Sequence, residues 1–343
     1  RDTVLCQTTG TTAQPLKFYR SREDVSWGRA AMYRAYGWAL YELGEKYALI
    51  WGFHPEELKD LLFRINNLFE RQIALLNADD LSEKSIRPFV QKLERFRPRF
   101  LRGYSSCIYM LAKYLSAKRI SPPNFKAIFS TAAILLPSQR RVIEKAFGCE
   151  VYDFYGSQEV PSMASECGEH SGYHIQAENV AIEFIKDGEP VVEGEAGAIL
   201  VTSLQNYAMP FIRYDIGDTG KPSDEICPCG RGLPLIKSLE GRTYEWLMTS
   251  DGSLIALKDF DTFFEDLPVK MFQIIQRSYD EILVKIVKDD GYSDEDTEFI
   301  INNITCFQKP VKIYVEVVDS IPSERSGKKR YLISKMPMYD WVP

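Results

Sequence analysis

Ten residues near the start of the chain, Thr8-Thr9-Gly10-Thr11-Thr12-Ala13-Gln14-Pro15-Leu16-Lys17, assemble the parts of an anion site. Gly10 lets the backbone turn sharply and bring its N–H groups close to a phosphate. The hydroxyls of Thr8, Thr9, Thr11 and Thr12 can donate to phosphate oxygens, and Lys17 can add a point charge. The run lacks the second glycine and the Gly-Lys-Ser/Thr ending of a Walker A loop. A solvated, threonine-rich turn is the alternative for this segment alone. A second cluster carries metal chemistry. In Cys227-Pro228-Cys229-Gly230 two thiols lie one residue apart on a Pro/Gly turn, and Cys167 and His174 lie upstream. Together they would make a Cys₃His set that closes a tetrahedron around structural Zn²⁺. His170 is a competing imidazole, and reduced, unligated cysteines in a tight turn are the other reading. Cys6, Cys107, Cys149 and Cys306 read as small core residues.

The elements that must hold these groups follow from periodicity. Residues 21–47 read as a helix, with Ser21 and Asp24 resembling a capping box with the shorter acid. Ala48–Trp51 is a short apolar strand. Leu81–Phe96 is helical, Phe100–Tyr104 a strand and turn, and Ile108–Ala117 a helix. Phe125–Thr131 is a strand, Pro137–Phe147 a helix, and Glu150–Tyr155 a strand. This alternation predicts an α/β domain with a largely parallel sheet. Beyond about residue 174 paired strands take over, at Ala181–Ile185 and Ala198–Thr202. Near Gly241-Arg242 a third region begins. Its strands at Ile282–Val287 and Val311–Val318, with a polar helix at 293–305, predict a small α+β module.

Bulk properties exclude several classes. A chain of 343 residues exceeds the usual single core, so two domains are expected. A formal charge of −6 argues against a nucleic-acid partner, whose phosphates call for Lys and Arg. No apolar run approaches the roughly 20 residues that span a bilayer, and no membrane role is expected. Seven cysteines, odd in number and irregularly spaced, point to a reducing cytoplasm. The chain begins at Arg1 without an initiator Met and reads as a piece of a longer protein.

In open α/β sheets ligands bind beyond the carboxyl ends of the strands. There lie Tyr155-Gly156-Ser157-Gln158-Glu159, followed by Arg213-Tyr214-Asp215-Ile216-Gly217-Asp218, Gly241-Arg242-Thr243 and Ser326-Gly327-Lys328-Lys329-Arg330. With the opening loop, this ordered set resembles the adenylate-forming (acyl-CoA synthetase and ligase) superfamily, in its phenylacetate–CoA ligase, CapK-like and coenzyme F390 synthetase branch. The resemblance covers essentially the whole chain. The portion that the family usually carries ahead of the phosphate loop is missing from the sequence.

The resemblance implies a large adenylation domain with a β-rich subdomain over residues 1–242 and a small mobile α+β lid over 243–343. It assigns Thr8–Lys17 to the phosphates of ATP, although Ala13 replaces a common glycine. Tyr155, with Gly156 and Ser157 behind it, matches the aromatic residue on adenine, and Ala132 and Ala133 occupy the place of a loop along the same base. Relatives often carry an acid where Ala133 stands. Glu159 matches a Mg²⁺ carboxylate, a fitting partner for a hard cation. Asp218 and Arg242 match the ribose contacts, and Lys328 the mobile lysine that bridges the attacking carboxylate and the phosphate. Lys329 is its neighbour. Each of these has an ordinary reading too: a buried aromatic, a helix cap, a turn former or a surface basic run. Phe53, His54, Gly103 and Tyr104 lie where the family builds its carboxylate pocket. Relatives hinge the lid at acids where this chain has Tyr244-Glu245. The expected reaction is ATP-dependent adenylation of a small carboxylic acid, passing through AMP, followed by transfer to a thiol such as CoA. A homodimer is compatible with the resemblance. The alternatives are an F390-type adenylyltransferase and a non-catalytic nucleotide-binding homologue.

Overall fold

The computed structural model describes residues 3–8, 16–52, 72–78, 80–242, 246–248, 254–256, 264, 267–304, 311–322 and 330–334. The chain opens with an antiparallel hairpin, β1 (Thr3–Gln7) and β2 (Lys17–Ser21), and runs into α1 (Arg22–Trp38). A parallel β/α segment follows: β3 (Tyr47–Trp51), β4 (Gln72–Asn77), α2 (Glu83–Phe96), β5 (Phe100–Tyr104), α3 (Ser105–Lys118), β6 (Ala127–Thr131), α4 (Pro137–Phe147) and β7 (Glu150–Tyr155). Antiparallel strands extend the same sheet: β8 (Ala164–Glu166), β9 (Tyr173–Ile175), β10 (Val180–Lys186), β11 (Glu189–Pro190), β12 (Gly197–Ser203), β13 (Tyr214–Ser223) and β14 (Leu235–Arg242). The order β11-β10-β12-β13-β14-β9-β8-β7-β6-β5-β3-β4 makes one 12-stranded sheet, parallel from β4 to β7. A hairpin, β15 (Trp246–Met248) with β16 (Leu254–Ala256), then leads to the small module. There β17 (Val269–Ser278), β18 (Glu281–Lys288), β19 (Lys312–Val317) and β20 (Leu332–Ser334) form a sheet in the order β19-β18-β17-β20, with α5 (Asp294–Asn303) alongside.

Parallel strands are covered on both faces, which is why β3 reads as a continuous apolar run, Tyr47-Ala48-Leu49-Ile50-Trp51. One face carries α2, α3 and α4. The apolar stripe Ile86, Phe89, Val90 and Leu93 of α2 recurs at helical spacing and packs there with Leu101, Ile108 and Ile128. On the other face lies α1, through an aromatic cluster of Tyr36, Tyr41, Tyr47, Phe100 and Phe129. Tyr36 stacks on Phe129 with ring centroids 4.1 Å apart and planes within 7°.

Where the structure differs from the periodicity, a competing contact explains it. The helix expected over 21–47 ends at Trp38, and Leu40 takes a left-handed backbone with φ 61°. The apolar spacing continues past that point only because Tyr41 and Tyr47 join the aromatic cluster from the turn and from β3. Only half of the expected capping box forms at Ser21. Its hydroxyl accepts from Asp24 N at 3.1 Å, but the Asp24 carboxylate is taken by Arg20 in a buried ion pair. The complete box stands at the start of α5, between the N-cap Ser293 and Asp296 in its first turn. The small module docks on α3 and α4: Lys113 pairs with Asp289 at 3.0 Å, and Gln139 Nε2 donates to Tyr331 Oη at 3.0 Å.

A buried polar network ties the parallel half of the sheet to its antiparallel half. Arg140 of α4 donates to both oxygens of Glu166 at 2.7 Å, and the Asp153 N–H donates to Glu166 Oε2 at 2.9 Å. Asp153 accepts in turn from Ser130 Oγ and, at 2.8 Å, from Tyr173 Oη. Burial would raise the Glu166 pKa, but His170 and the paired Arg140 outweigh it and hold it low. Burial, with the Glu166 charge beside it, pushes Asp153 up to about 7 against those two donors.

Two outcomes follow from this packing. Asp153 binds its proton more tightly in the folded chain than in the unfolded one. The stability of the wild type relative to Asp153→Asn therefore falls as pH rises from about 4 to 7 and levels off above that, by roughly 2–4 kcal/mol in all. Urea unfolding across that range reads it, and a flat difference would contradict it. Gly103 leaves no room for a side chain, since a Cβ there would lie 2.9 Å from Ile50 Cβ and 3.0 Å from its carbonyl oxygen. Gly103→Ala should cost about 1–3 kcal/mol, seen as a lowered melting temperature; an unchanged melting temperature would refute the close contact.

Candidate functional site

The order β4-β3-β5-β6-β7 reverses between β3 and β5, and it is at such reversals that open α/β sheets bind ligands. A cleft of about 260 Å³ opens there, at the carboxyl ends of the strands. One wall carries Ala132, Tyr155, Gly156 and Ser157; the other carries Trp51, Arg102 and Tyr104.

The first wall is a tight turn. Gly156 approaches the chain so closely that a Cβ would meet Ser162 N at 2.7 Å. Ser157 N donates to Val160 O at 3.1 Å, and Met163 N to Tyr155 O at 2.9 Å, so the turn is pinned at both ends. Ala132 has φ 71°, the left-handed region that a non-glycine residue rarely enters. Tyr155 Oη donates to Asp218 Oδ2 at 2.9 Å, which joins the end of β7 to β13. Asp218 stands opposite Arg242 in the pairing of β13 with β14. Glu159 is buried behind the turn, where Tyr214 Oη donates to its Oε1 at 3.2 Å. At the opening hairpin, the Leu16 N–H donates to Thr8 Oγ1 at 2.9 Å and Thr8 N to Leu16 O at 2.9 Å. Thr8 thus closes the neck of the loop, with Lys17 exposed beside it and paired with Gln7.

Of the residues expected from sequence, the structure brings Ala132, Tyr155, Gly156, Ser157 and Tyr104 to the cleft and holds Asp218 against Tyr155. Ala133 is not on its lining; its carbonyl accepts from Ser105 Oγ at 2.9 Å, at the start of α3. Gly103 is not on the lining either and packs against Ile50. Thr9, Gly10, Thr11, Thr12, Phe53, His54 and Lys328, together with the Arg242 side chain, lie outside the described residues. Sequence reasoning passed over Met32 and Tyr36 of α1, and Phe129 and Phe154, which complete the cleft. Strand alternation carries the signal for the last two: they sit two and one residues before the ends of β6 and β7.

The Cys/His residues converge about 60 residues apart in sequence. The ligand atoms of Cys167, His174, Cys227 and Cys229 all lie within 4.8 Å of one another. Cys167 Sγ is 3.7 Å from Cys227 Sγ, and His174 Nε2 is 3.3 Å from both Cys167 Sγ and Cys229 Sγ. Two sulfurs bound at about 2.3 Å to one tetrahedral ion stand about 3.8 Å apart, so the spacing suits Zn²⁺ and is far too long for a disulfide. Burial, helped by the Arg231 charge, lowers the His174 pKa and keeps the ring neutral, as a ligand must be. His170 is directed elsewhere, with Nδ1 3.2 Å from Glu166 Oε2. The cluster clamps the β8–β9 hairpin to the loop between β13 and β14.

The small module and the whole chain both have relatives. Residues 247–335 match the CapK C-terminal domain family. Protein CapK of Staphylococcus aureus is 27% identical over 345 residues, covering 96% of this chain and 74% of that protein. The phenylacetate–coenzyme A ligase of Thermus thermophilus is 28% identical over 166 residues, 46% of this chain and 37% of that one. Among solved structures, 2-hydroxyisobutyryl-CoA ligase in its postadenylation state with 2-HIB-AMP superposes with a TM-score of 0.77 at 19% identity, covering 98% of this chain and 74% of that chain. The similarity to CapK and to phenylacetate–CoA ligases, together with the fold shared with a solved acyl-CoA ligase, supports a place for the chain beside the phenylacetate–CoA ligase and CapK-like branch of the adenylate-forming superfamily.

Proposed function

We propose that the chain activates a carboxylic acid with ATP and passes the acyl group to a thiol, with CoA as the acceptor. The observation that carries this reading is the cleft at the strand reversal, where the Tyr155–Asp218 pair and the turn from Gly156 stand together. The relatives support the same chemistry. In the first step a carboxylate oxygen bonds to the α-phosphorus, the bridging P–O bond breaks, and pyrophosphate leaves. In the second the thiol sulfur attacks the acyl carbon, AMP departs with its oxygen, and the thiol proton goes to solvent. Such steps depend on positioning and charge neutralisation rather than on a protein nucleophile.

In this reading Tyr155 and Ala132 flank the adenine, Asp218 with Arg242 holds the ribose, and the loop from Thr8 to Lys17 takes the phosphates. Lys328 bridges the acid and the α-phosphate. Glu159, oriented by Tyr214, would be the carboxylate that holds Mg²⁺, and the ion would supply positive charge against the phosphates. The chain divides near Arg242 into an adenylation domain, 1–242, and a lid, 243–343, and the CapK C-terminal match at residue 247 agrees with that division. Zn²⁺ held by Cys167, His174, Cys227 and Cys229 is structural, because four protein ligands leave no open position. Among the described residues no helix is long and apolar enough to cross a membrane.

Carboxylate-dependent ATP–pyrophosphate exchange tests the reading. One acid class should support exchange, and Lys328→Ala should reduce it about 100- to 1000-fold while leaving ATP binding intact. Exchange without dependence on any acid, or an unaffected Lys328→Ala, would overturn it. Elemental analysis should find one zinc per chain, and Cys167→Ser should lower both zinc content and melting temperature; a metal-free wild type as stable as the zinc-loaded one would dismiss the site.

A further inference from the structure

The last two turns of α1 carry two pairs of side chains on opposite faces, and the two faces serve different sites. Met32 and Tyr36, four residues apart, line the cleft. Arg34 and Trp38, also four apart, stand about half a turn round the helix from them and meet the antiparallel half of the sheet. The Arg34 guanidinium donates to Gln176 Oε1 and, at 2.8 Å, to Glu178 Oε2, both just beyond β9. The Trp38 ring meets the His174 ring of β9 edge-on, with centroids 5.3 Å apart and planes at 70°. Trp38 also packs against Cys167, Cys227 and Leu235, with Cys229 alongside. The Arg231 guanidinium covers the Trp38 ring, 5.0 Å from its centroid. We propose that Trp38 is a positioning residue that couples zinc at the Cys/His cluster to nucleotide affinity in the cleft; this rests on the zinc and adenylating readings above.

A helix held along one face only can roll about its axis. Tyr36, stacked on Phe129, fixes the cleft side of α1. Arg34 and Trp38 fix the far side, so a single rotation satisfies both faces. The Arg34–Glu178 pair is exposed and contributes little by itself. Trp38 is therefore the stronger far-side contact, and both of its ring partners depend on the metal. His174, ligated through Nε2, is held in one orientation beneath the Trp38 ring. Three thiolates around one Zn²⁺ leave a single net negative charge, which draws the Arg231 cation onto the outer side of the cluster. Without the ion the imidazole and the guanidinium lose what orients them, and Trp38 loses both together. The rotation of α1 is then set from the cleft side alone. Met32 and Tyr36 share that cleft with Ala132 and Tyr155, so an occupant that fits one rotation best binds the zinc-loaded chain more tightly. By linkage it tightens zinc by the same factor.

The test measures binding of α,β-methylene-ATP with Mg²⁺ by calorimetry, on the full chain loaded with zinc and stripped of it by a chelator. The wild type should bind about 10-fold more weakly without zinc. Trp38→Leu should bind weakly even with zinc in place, and stripping should change its affinity less than about 2-fold. Trp38→Phe should keep most of the coupling. Arg231→Gln, which alters an exposed side chain and keeps the fold, should shrink it. In the reverse direction, saturating nucleotide should make zinc about 10-fold harder to remove from the wild type, and no harder to remove from Trp38→Leu. Nucleotide affinity indifferent to zinc would overturn the proposal. So would a zinc dependence that Trp38→Leu and Arg231→Gln leave intact, which is the result if zinc acts through folding alone. A zinc-loaded wild type that binds no nucleotide would overturn the adenylating reading and the coupling together. Zinc-coupled nucleotide binding without exchange for any acid would support the coupling and overturn adenylation alone.

Discussion

The stack of Tyr36 on Phe129 is the contact on which the site depends. With centroids 4.1 Å apart and nearly parallel planes, it pins α1 across the middle of the parallel sheet. Both rings are almost wholly buried, and removing a buried Phe side chain typically costs about 3–5 kcal/mol. Because α1 continues directly from β2, the same contact sets where the threonine-rich hairpin emerges. Tyr36 also stands beneath the Arg102 guanidinium, and both aromatic residues line the cleft. One packing interaction therefore orients the strands of the opening hairpin, the floor of the cleft, and its one described charge.

A second constraint governs the antiparallel half. Strands β8 and β9 are three residues long each, and β9 meets β14 at only two paired positions, so ladder hydrogen bonds alone hold this part of the sheet weakly. The Cys/His cluster and the Asp153–Glu166–Arg140 network sit on either side of these strands and share neighbouring residues, Glu166 beside Cys167 and Tyr173 beside His174. Asp153 is joined through Ser130 to the strand end that lines the cleft. The rigidity of the cleft floor thus depends on polar groups whose satisfaction is all-or-none.

The elements of this fold were legible where local and tertiary signals agree. In α4, Pro137 opens the helix and Gly148, with φ 68°, closes it, so pattern and structure coincide there. They part at Leu40, because buried tyrosines in a turn mimic helical spacing and no periodicity separates the two. The resemblance puts Gly103 in the region of the carboxylate pocket; alternation of faces along a strand sends it to Ile50 and sends Arg102 to the cleft. The pairing of Tyr155 with Asp218, 63 residues apart, has no local trace in the sequence. The Cys₃His set was partly legible because thiols one residue apart on a turn suggest a ligand pair; the convergence of all four residues and the place of His174 rather than His170 needed coordinates.

The central claim is that the strand-reversal cleft is where an acyl-adenylate is made. The measurement that tests it most directly is a crystal structure of the chain with a non-hydrolysable acyl-sulfamoyl adenosine. The account predicts adenine between Ala132 and Tyr155, ribose hydroxyls on Asp218, and the acyl group directed towards Trp51 and Arg102. An analogue bound elsewhere, or one whose acyl group points away from β5, would contradict it.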